Sequence, residues 1–306
     1  EWAYYFCNNC PSGYSALGGQ TLNPYGRKIF DSGGSSSGSG AAISANFSSV
    51  SLGSETSGSI LSPSSANSIV GLKPTIGQVS RSGIVPISST LDTSGPMTKN
   101  VIDNAIVLKA VSGFDENDFM SVNSEDIDLE SIVNSTLKGK RFGVFNEFLN
   151  DSLYLSAVNK IEKLGGTIIK FNPPQINFNG FRKILDYDMK NDLPIYFKNN
   201  NISFKSIKDI VEFNKKDSLN RAPYGQGIFK SIISDSTKFN EISSIKTRIK
   251  TEGKKYFNTA IKKHKLDAII SINNYHAGYA AGAYYPCLTI PMGYNKNGKP
   301  FNLTFI

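Results

Sequence analysis

The sequence predicts an α/β protein in which a mixed, mostly parallel sheet is covered by helices on both faces. Two observations lead there. Short apolar runs at 141–145, 167–171, 266–270 and 287–291 are bounded by turn residues, as strands buried on both sides are. Between them stand longer segments with apolar residues at helical spacing, 152–164 being the clearest. Helices alternating with short strands imply a sheet wrapped on both faces.

The elements follow in order. The run 32–39 is almost all Gly and Ser and has the composition of a linker. It is followed too closely by packing elements to be one: 41–45 reads as a helix of small residues, and 50–52 as a short buried strand. A second buried strand, 69–72, is stopped by Lys73-Pro74. After Gly95-Pro96, Thr98 is placed to cap a helix running to Ala110, with Val101, Ile102, Ala105 and Leu108 inward. Then come a strand at 141–145, a helix at 152–164 ended by Gly165-Gly166, and a strand at 167–171. Helices are expected at 181–190, 207–214 and 242–264, strands at 266–270 and 287–291, and strand-like residues at 301–306. No linker is long enough to require two domains, so 1–306 reads as a single domain.

The bulk numbers narrow the function classes. The chain has 306 residues, 39% hydrophobic and 19% charged, a balance suited to burying a core. No apolar run reaches the length that a membrane span needs, so no membrane is expected as a partner. A formal charge of +8 raises the question of nucleic acid, but the lysines are scattered among Asn and Ile instead of clustering with Arg and aromatics. We expect a solvated lysine-rich surface and no nucleic-acid partner. Cys7 and Cys10 have CxxC spacing, but no second pair exists to complete a zinc site, and neither a metal nor a cofactor is expected. Few, unpaired cysteines lean toward a reducing compartment, which slightly favours the cytoplasm. Glu1-Trp2-Ala3-Tyr4 shows neither an initiator Met nor a signal-peptide pattern, so earlier residues are expected.

The informative segment lies between Gly19 and Pro96. It holds Gly-Gln-Thr-Leu-Asn-Pro-Tyr at 19–25, Gly-Gly-Ser-Ser-Ser-Gly-Ser-Gly at 33–40, Gly-Ser-Glu-Thr-Ser-Gly-Ser-Ile at 53–60, Gly-Leu-Lys-Pro-Thr at 71–75 and Asp-Thr-Ser-Gly-Pro at 92–96. A Gly-Gly-Ser-Ser run alone would say little. Five motifs in this order and spacing resemble the amidase signature family, in particular its peptide-amidase-like branch. The likeness continues through Tyr224-Gly225-Gln226 and the stretch 285–293. It implies the amidase-signature fold and hydrolysis of amides by a Ser–cis-Ser–Lys triad without any cofactor. Ser59 matches the nucleophile, and Ser35 matches the serine that follows a cis peptide bond and relays the proton. The N–H groups of Thr56, Ser57 and Gly58 match the oxyanion hole. Ser12 and Gly13 fall where relatives line the leaving-group side of the substrate site.

The chemistry is consistent with those roles. A serine hydroxyl is a weak nucleophile until a base takes its proton, and a second hydroxyl can pass that proton on because it both donates and accepts. Gly58 lets successive N–H groups turn toward one spot, where developing charge is stabilised. The terminal lysine of the family lies upstream of the matched motifs, so it is expected before Glu1, and the stretch by itself is expected to be inactive. Ser57 stands where many relatives have Asp, and Leu61 where many outside this branch have Arg. The expected substrate is a small amide, either a peptide amide or an aryl amide, with the oligomeric state left open. Two alternatives stand beside this reading: a glutaminase-type amidotransferase subunit, and a catalytically inactive relative used for binding. Fifteen of the 34 residues 32–65 are serine, so most are expected to cap and brace, among them Ser36 and Ser37. Glu55 and Asp92 read as loop-bracing carboxylates. His276 suggests a Ser–His pair, but with no acid partner in view it reads as a structural or pocket-lining residue.

Overall fold

The computed structural model describes residues 9–124 and 126–306. A two-stranded ribbon, β1 (Tyr14–Ser15) and β2 (Gly19–Gln20), opens the chain. Helix α1 (Ser37–Ser44), strand β3 (Val50–Glu55), helix α2 (Leu61–Ala66), and strands β4 (Val70–Lys73) and β5 (Thr93–Thr98) carry the Gly- and Ser-rich motifs. Helices α3 (Val101–Val111) and α4 (Leu129–Val133) lead to strand β6 (Arg141–Phe145), helix α5 (Ser152–Lys163) and strand β7 (Thr167–Phe171). A helical layer follows: α6 (Phe181–Asn199), α7 (Ile207–Lys215), α8 (Ser218–Arg221), α9 (Gly227–Ser234) and α10 (Phe239–His264). Strand β8 (Ala268–Ile272), helix α11 (Ala277–Ala283) and the hairpin β9 (Cys287–Tyr294) and β10 (Pro300–Phe305) close the chain.

Among the described residues, eight strands form one mixed sheet in the order β3-β5-β4-β9-β10-β8-β6-β7. Mixed character was expected; the balance of directions is the reverse of the expectation. Only β8–β6 and β6–β7 are parallel, while the five other neighbouring pairs are antiparallel. The reason lies in the connections. A parallel pair needs a crossover long enough to span the sheet, which α5 supplies between β6 and β7. The hairpin β9–β10 turns through 295–299, and β4 reaches β5 by a loop with no helix, so both pairs run antiparallel.

Two apolar layers sit on opposite faces of the parallel half. In β6, Phe142 and Val144 point toward Tyr154, Val158 and Ile161 of α5, together with Ile270 and Ile272 of β8. Phe145 and Ile269 point the other way, onto Tyr256, Phe257 and Ala260 of α10 and the alanines of α11. This is strand alternation meeting two helices whose buried residues recur every three or four positions. Asp151 starts α5 by accepting the N–H of Tyr154 at 2.9 Å, and Gly165 ends it with a φ of +94°.

Three local expectations change. Strand β3 is at the sheet edge, so Val50 and Leu52 are exposed at 41% and 47% instead of buried. Thr98 belongs to β5, and Asn100 caps α3 through Asp103 N at 2.8 Å; Val101 is exposed. Helix α6 continues to Asn199 past an internal Pro194, because Leu193 and Phe197 are buried in the helical layer and their packing outweighs the break. Cys10 is disulfide-bonded and Cys287 is free and buried, which removes the argument from unpaired cysteines for a reducing compartment. Cys7, the other half of the CxxC spacing, lies outside the described residues.

Tyr154 ties the parallel strands together. Its fully buried hydroxyl donates to Ile270 O in β8 at 2.7 Å and accepts Phe145 N from β6 at 3.3 Å. Tyr154→Phe leaves those two backbone groups buried without that partner, and we expect a loss of about 1–3 kcal/mol in urea unfolding. A loss below about 0.5 kcal/mol would show that the hydroxyl contributes nothing to the sheet.

Candidate active site

The segment 31–37 is held from several sides before any chemistry is considered. Asn23, buried in the Gly-Gln-Thr-Leu-Asn-Pro-Tyr motif, donates to Asp31 O at 2.8 Å and to Ala66 O at 2.7 Å. Asn67 donates to Ser32 O and to Pro63 O, each at 2.8 Å. Two amide side chains thereby fasten this segment to α2. Asp31 Oδ1 accepts Gly33 N at 2.7 Å, and Gly33 has a φ of +68° with Pro63 backbone atoms 2.5–2.6 Å from where a Cβ would stand. No other residue fits there. The peptide bond Gly34–Ser35 is cis. Ser36 then donates to Ser54 O and accepts Ser54 N, both at 3.1 Å, while its own N–H reaches Ser59 O at 3.1 Å. Ser36 is a brace, as expected, and it sets the two serine motifs side by side.

Residues 56–59 join β3 to α2 and are anchored by carboxylates at both ends. Glu55 is 1% exposed; its Oε2 accepts Ile60 N at 2.7 Å and Leu61 N at 2.9 Å, satisfying donors at the start of α2. Burial raises its pKa, with Lys73 and the N–H groups of Leu61, Ile60 and Gly58 opposing that rise. Asp92 Oδ1 accepts Thr56 Oγ1 at 2.5 Å, and its Oδ2 accepts Ile87 N and Ser88 N, both at 2.8 Å. Burial pushes Asp92 up to about 6, against the pull of these hydrogen bonds and of Arg81. Both carboxylates brace the loop.

The structure brings most of the expected site residues together. Ser35, Thr56 and Ser59 line one small recess with Ile84, Val85, Ile87 and Asp92. Ser59 also faces an adjoining cavity of about 550 Å³, which Ser12, Ser57 and Gly58 line. Gly58 has a φ of +108°, the conformation its place in the turn requires. Gly13 does not line this cavity. Its φ is +86°, its carbonyl accepts Thr21 N at 2.9 Å, and it shapes the β1–β2 ribbon that presents Ser12.

The far wall of the large cavity was not foreseen. It comprises Asn273, Asn274 and Tyr275 after β8, and Lys299, Pro300 and Phe301 at the start of β10. Asn273 sits at a φ of +47° and is fixed by Asn302 N donating to its Oδ1 at 2.8 Å. An Asn-Asn pair directly after a buried strand was the available signal, since Asn tolerates that conformation.

His276 lines neither cavity. It is buried between Ser271 Oγ at 2.7 Å from Nδ1 and Tyr256 hydroxyl at 3.0 Å from Nε2, and its ring stacks on Phe145 at 4.1 Å. Glu147 lies 3.6 Å from Nε2, an acid near a histidine, but burial lowers the His276 pKa to about 4 and keeps the ring neutral. The contact is therefore not an ion pair at neutral pH, and the residue is structural.

Asp92 generates a pH signature. Its folded pKa of about 6 exceeds the ordinary value of 3.8, so between these limits the folded state holds the proton more tightly. The stabilisation from that proton is fully present below the ordinary value and is lost as pH rises through the folded one. Two units correspond to about 3 kcal/mol. We expect the unfolding free energy of Asp92→Asn, followed from pH 4 to 7, to lack a decline of that size that the parent shows. Parallel curves would contradict the assignment.

A family model described as Amidase matches residues 5–277. A probable amidase of Arabidopsis thaliana is 32% identical over 320 aligned positions, covering 100% of this chain and 62% of that protein. Among solved structures, an amidase family protein from Bacillus anthracis superposes with a TM-score of 0.94 at 36% identity, over 100% of this chain and 62% of that one. The peptide amidase of Stenotrophomonas maltophilia superposes with a TM-score of 0.90 at 32% identity, over 100% and 68%. The chain thus spans roughly two-thirds of the relatives' length. With a family model matched over most of its length and these relatives on the same fold, the chain belongs to the amidase signature family.

Proposed function

We propose that the protein hydrolyses linear amides through an acyl-enzyme on Ser59. The observation that carries this reading is the shared recess: Ser35 and Ser59 line one small space, next to the turn 56–58 and open to a cavity of about 550 Å³. A cavity of that size takes a peptide-amide terminus or an aryl amide.

In this mechanism Ser59 Oγ bonds to the amide carbon as its proton passes to Ser35. The carbonyl oxygen gains charge and is met by N–H groups of Thr56, Ser57 and Gly58. The C–N bond breaks as the departing amine takes a proton relayed through Ser35. Water then attacks the ester carbon and returns Ser59 to its hydroxyl form. Beyond Ser35 this reading calls for a neutral lysine as the proton reservoir, on the resemblance to the family. Lys73 does not fill that role, because its Nζ is fully buried, donates to Pro74 O at 3.3 Å and does not line the recess. The expectation that the stretch is inactive on its own finds no support in the described residues. Ser12, at the mouth of the large cavity, is assigned to the substrate's leaving-group side.

In the full-length protein, Ser59→Ala should lower hydrolysis of a simple aryl amide by about 10⁴-fold or more, and Ser35→Ala by about 10²–10⁴-fold, with both variants folded by circular dichroism. Turnover of Ser59→Ala within tenfold of the parent would overturn the assignment of the nucleophile.

A further inference from the structure

Asp92 holds more than the serine turn. The segment 84–87 places Ile84, Val85 and Ile87 in the recess with Ser35 and Ser59. This segment has no regular secondary structure, so its position depends on side chains at its two ends. At one end Arg81 Nε donates to Asp118 Oδ2 at 2.9 Å, Arg81 Nη2 donates to Asp118 Oδ1 at 2.5 Å, and Arg81 Nη1 donates to Ser89 O at 2.7 Å. At the other end Asp92 accepts Ile87 N and Ser88 N, and Ser88 Oγ donates to Asp188 of α6 at 2.6 Å.

The second oxygen of the Asp92 carboxylate accepts the Thr56 hydroxyl. One buried group therefore ties the apolar segment to the turn that leads into Ser59. Val85 and Ile87 also pack on the helical layer of α6, α7 and α9, which backs them with apolar side chains. A wall of branched apolar groups beside the nucleophile favours substrates with an apolar group next to the scissile carbonyl. An anionic group there would lose its hydration and face the carboxylates of Glu55 and Asp92.

We propose that residues 84–87 form the specificity wall of the site, selecting amides with an apolar group next to the carbonyl, and that Asp92 is the positioning residue that sets this wall against the Ser59 turn. The inference rests on Ser59 being the nucleophile. Replacing the Asp92 carboxylate by an amide turns one of its two acceptor atoms into a donor. Turned toward Thr56 that donor still meets a hydroxyl, which accepts as well as donates, so both links can survive in Asp92→Asn, whereas Asp92→Ala removes both.

The test measures kcat and KM of the full-length protein on two amides of equal length, one with an alkyl acyl group and one ending in a carboxylate. The parent should prefer the alkyl substrate by at least about tenfold in kcat/KM. Val85→Thr keeps the shape of the wall but adds a hydroxyl, and should narrow that preference several-fold. Asp92→Ala should lower kcat on the alkyl amide by about 10–100-fold and narrow the same preference, with KM changing less than about threefold. A role in folding alone would move the melting temperature and leave the preference ratio intact. An unchanged ratio in both variants, or a parent without preference, overturns the proposal. If Asp92→Ala does not fold, Val85→Thr still decides the wall, and Thr56→Val, which removes the other end of the link, decides the positioning role through the same kcat loss. Ser59→Ala run alongside separates the cases: turnover surviving there sinks the nucleophile, whereas its loss with unchanged ratios elsewhere sinks only the wall.

Discussion

The wholly buried carboxylate of Glu55, at the end of β3, accepts the N–H groups of Ile60 and Leu61, and the shape of the site depends on it. Residues 56–59 have neither a ladder nor a helix of their own to fix them. Burying a carboxylate is costly unless hydrogen bonds repay it, and here the repayment is the geometry of the turn. Ser36 then links that turn to the cis-bonded segment at 33–35, and Asp92 links it to the wall at 84–87. The serines meet because three side chains hold three loops at one point.

This arrangement gives meaning to motifs that look merely small and polar. The Asn of the 19–25 motif and Asn67 fasten backbone carbonyls across α2, so Ser35 stands on a fixed support. Glycine is required at 33 because Pro63 lies against it, and the φ of Gly58 suits no other residue well. Of the many serines in this stretch, Ser36, Ser39, Ser51 and Ser65 donate to backbone carbonyls. They support Ser35 and Ser59 without reacting themselves.

Much of this was legible in the sequence, and the losses have physical causes. Strand 167–171 and helix 152–164 were found nearly to the residue, because their periodicity and terminal glycines are local signals. The directions of the strands were not, since direction depends on which strands become neighbours, and β4 pairs with β9 from the far end of the chain. Val50 and Leu52 look like core residues, yet β3 ends the sheet; an edge cannot be read from side-chain type. Ser59 and Ser35 were singled out by the resemblance of their motifs to a known family. The cavity wall at 273–275 and 299–301 was not, because β8 and β10 are brought together only by their pairing. His276 shows the converse: a residue suited to catalysis whose burial against Phe145 makes it part of the core.

The account's central claim is that Ser59 is the single activated hydroxyl of this site. Labelling the full-length protein with a fluorophosphonate, followed by peptide mapping by mass spectrometry, tests it most directly. One adduct on the peptide that carries Ser59 is the predicted result. An adduct on Ser271 beside His276 or on another serine, with Ser59 unmodified, would contradict it.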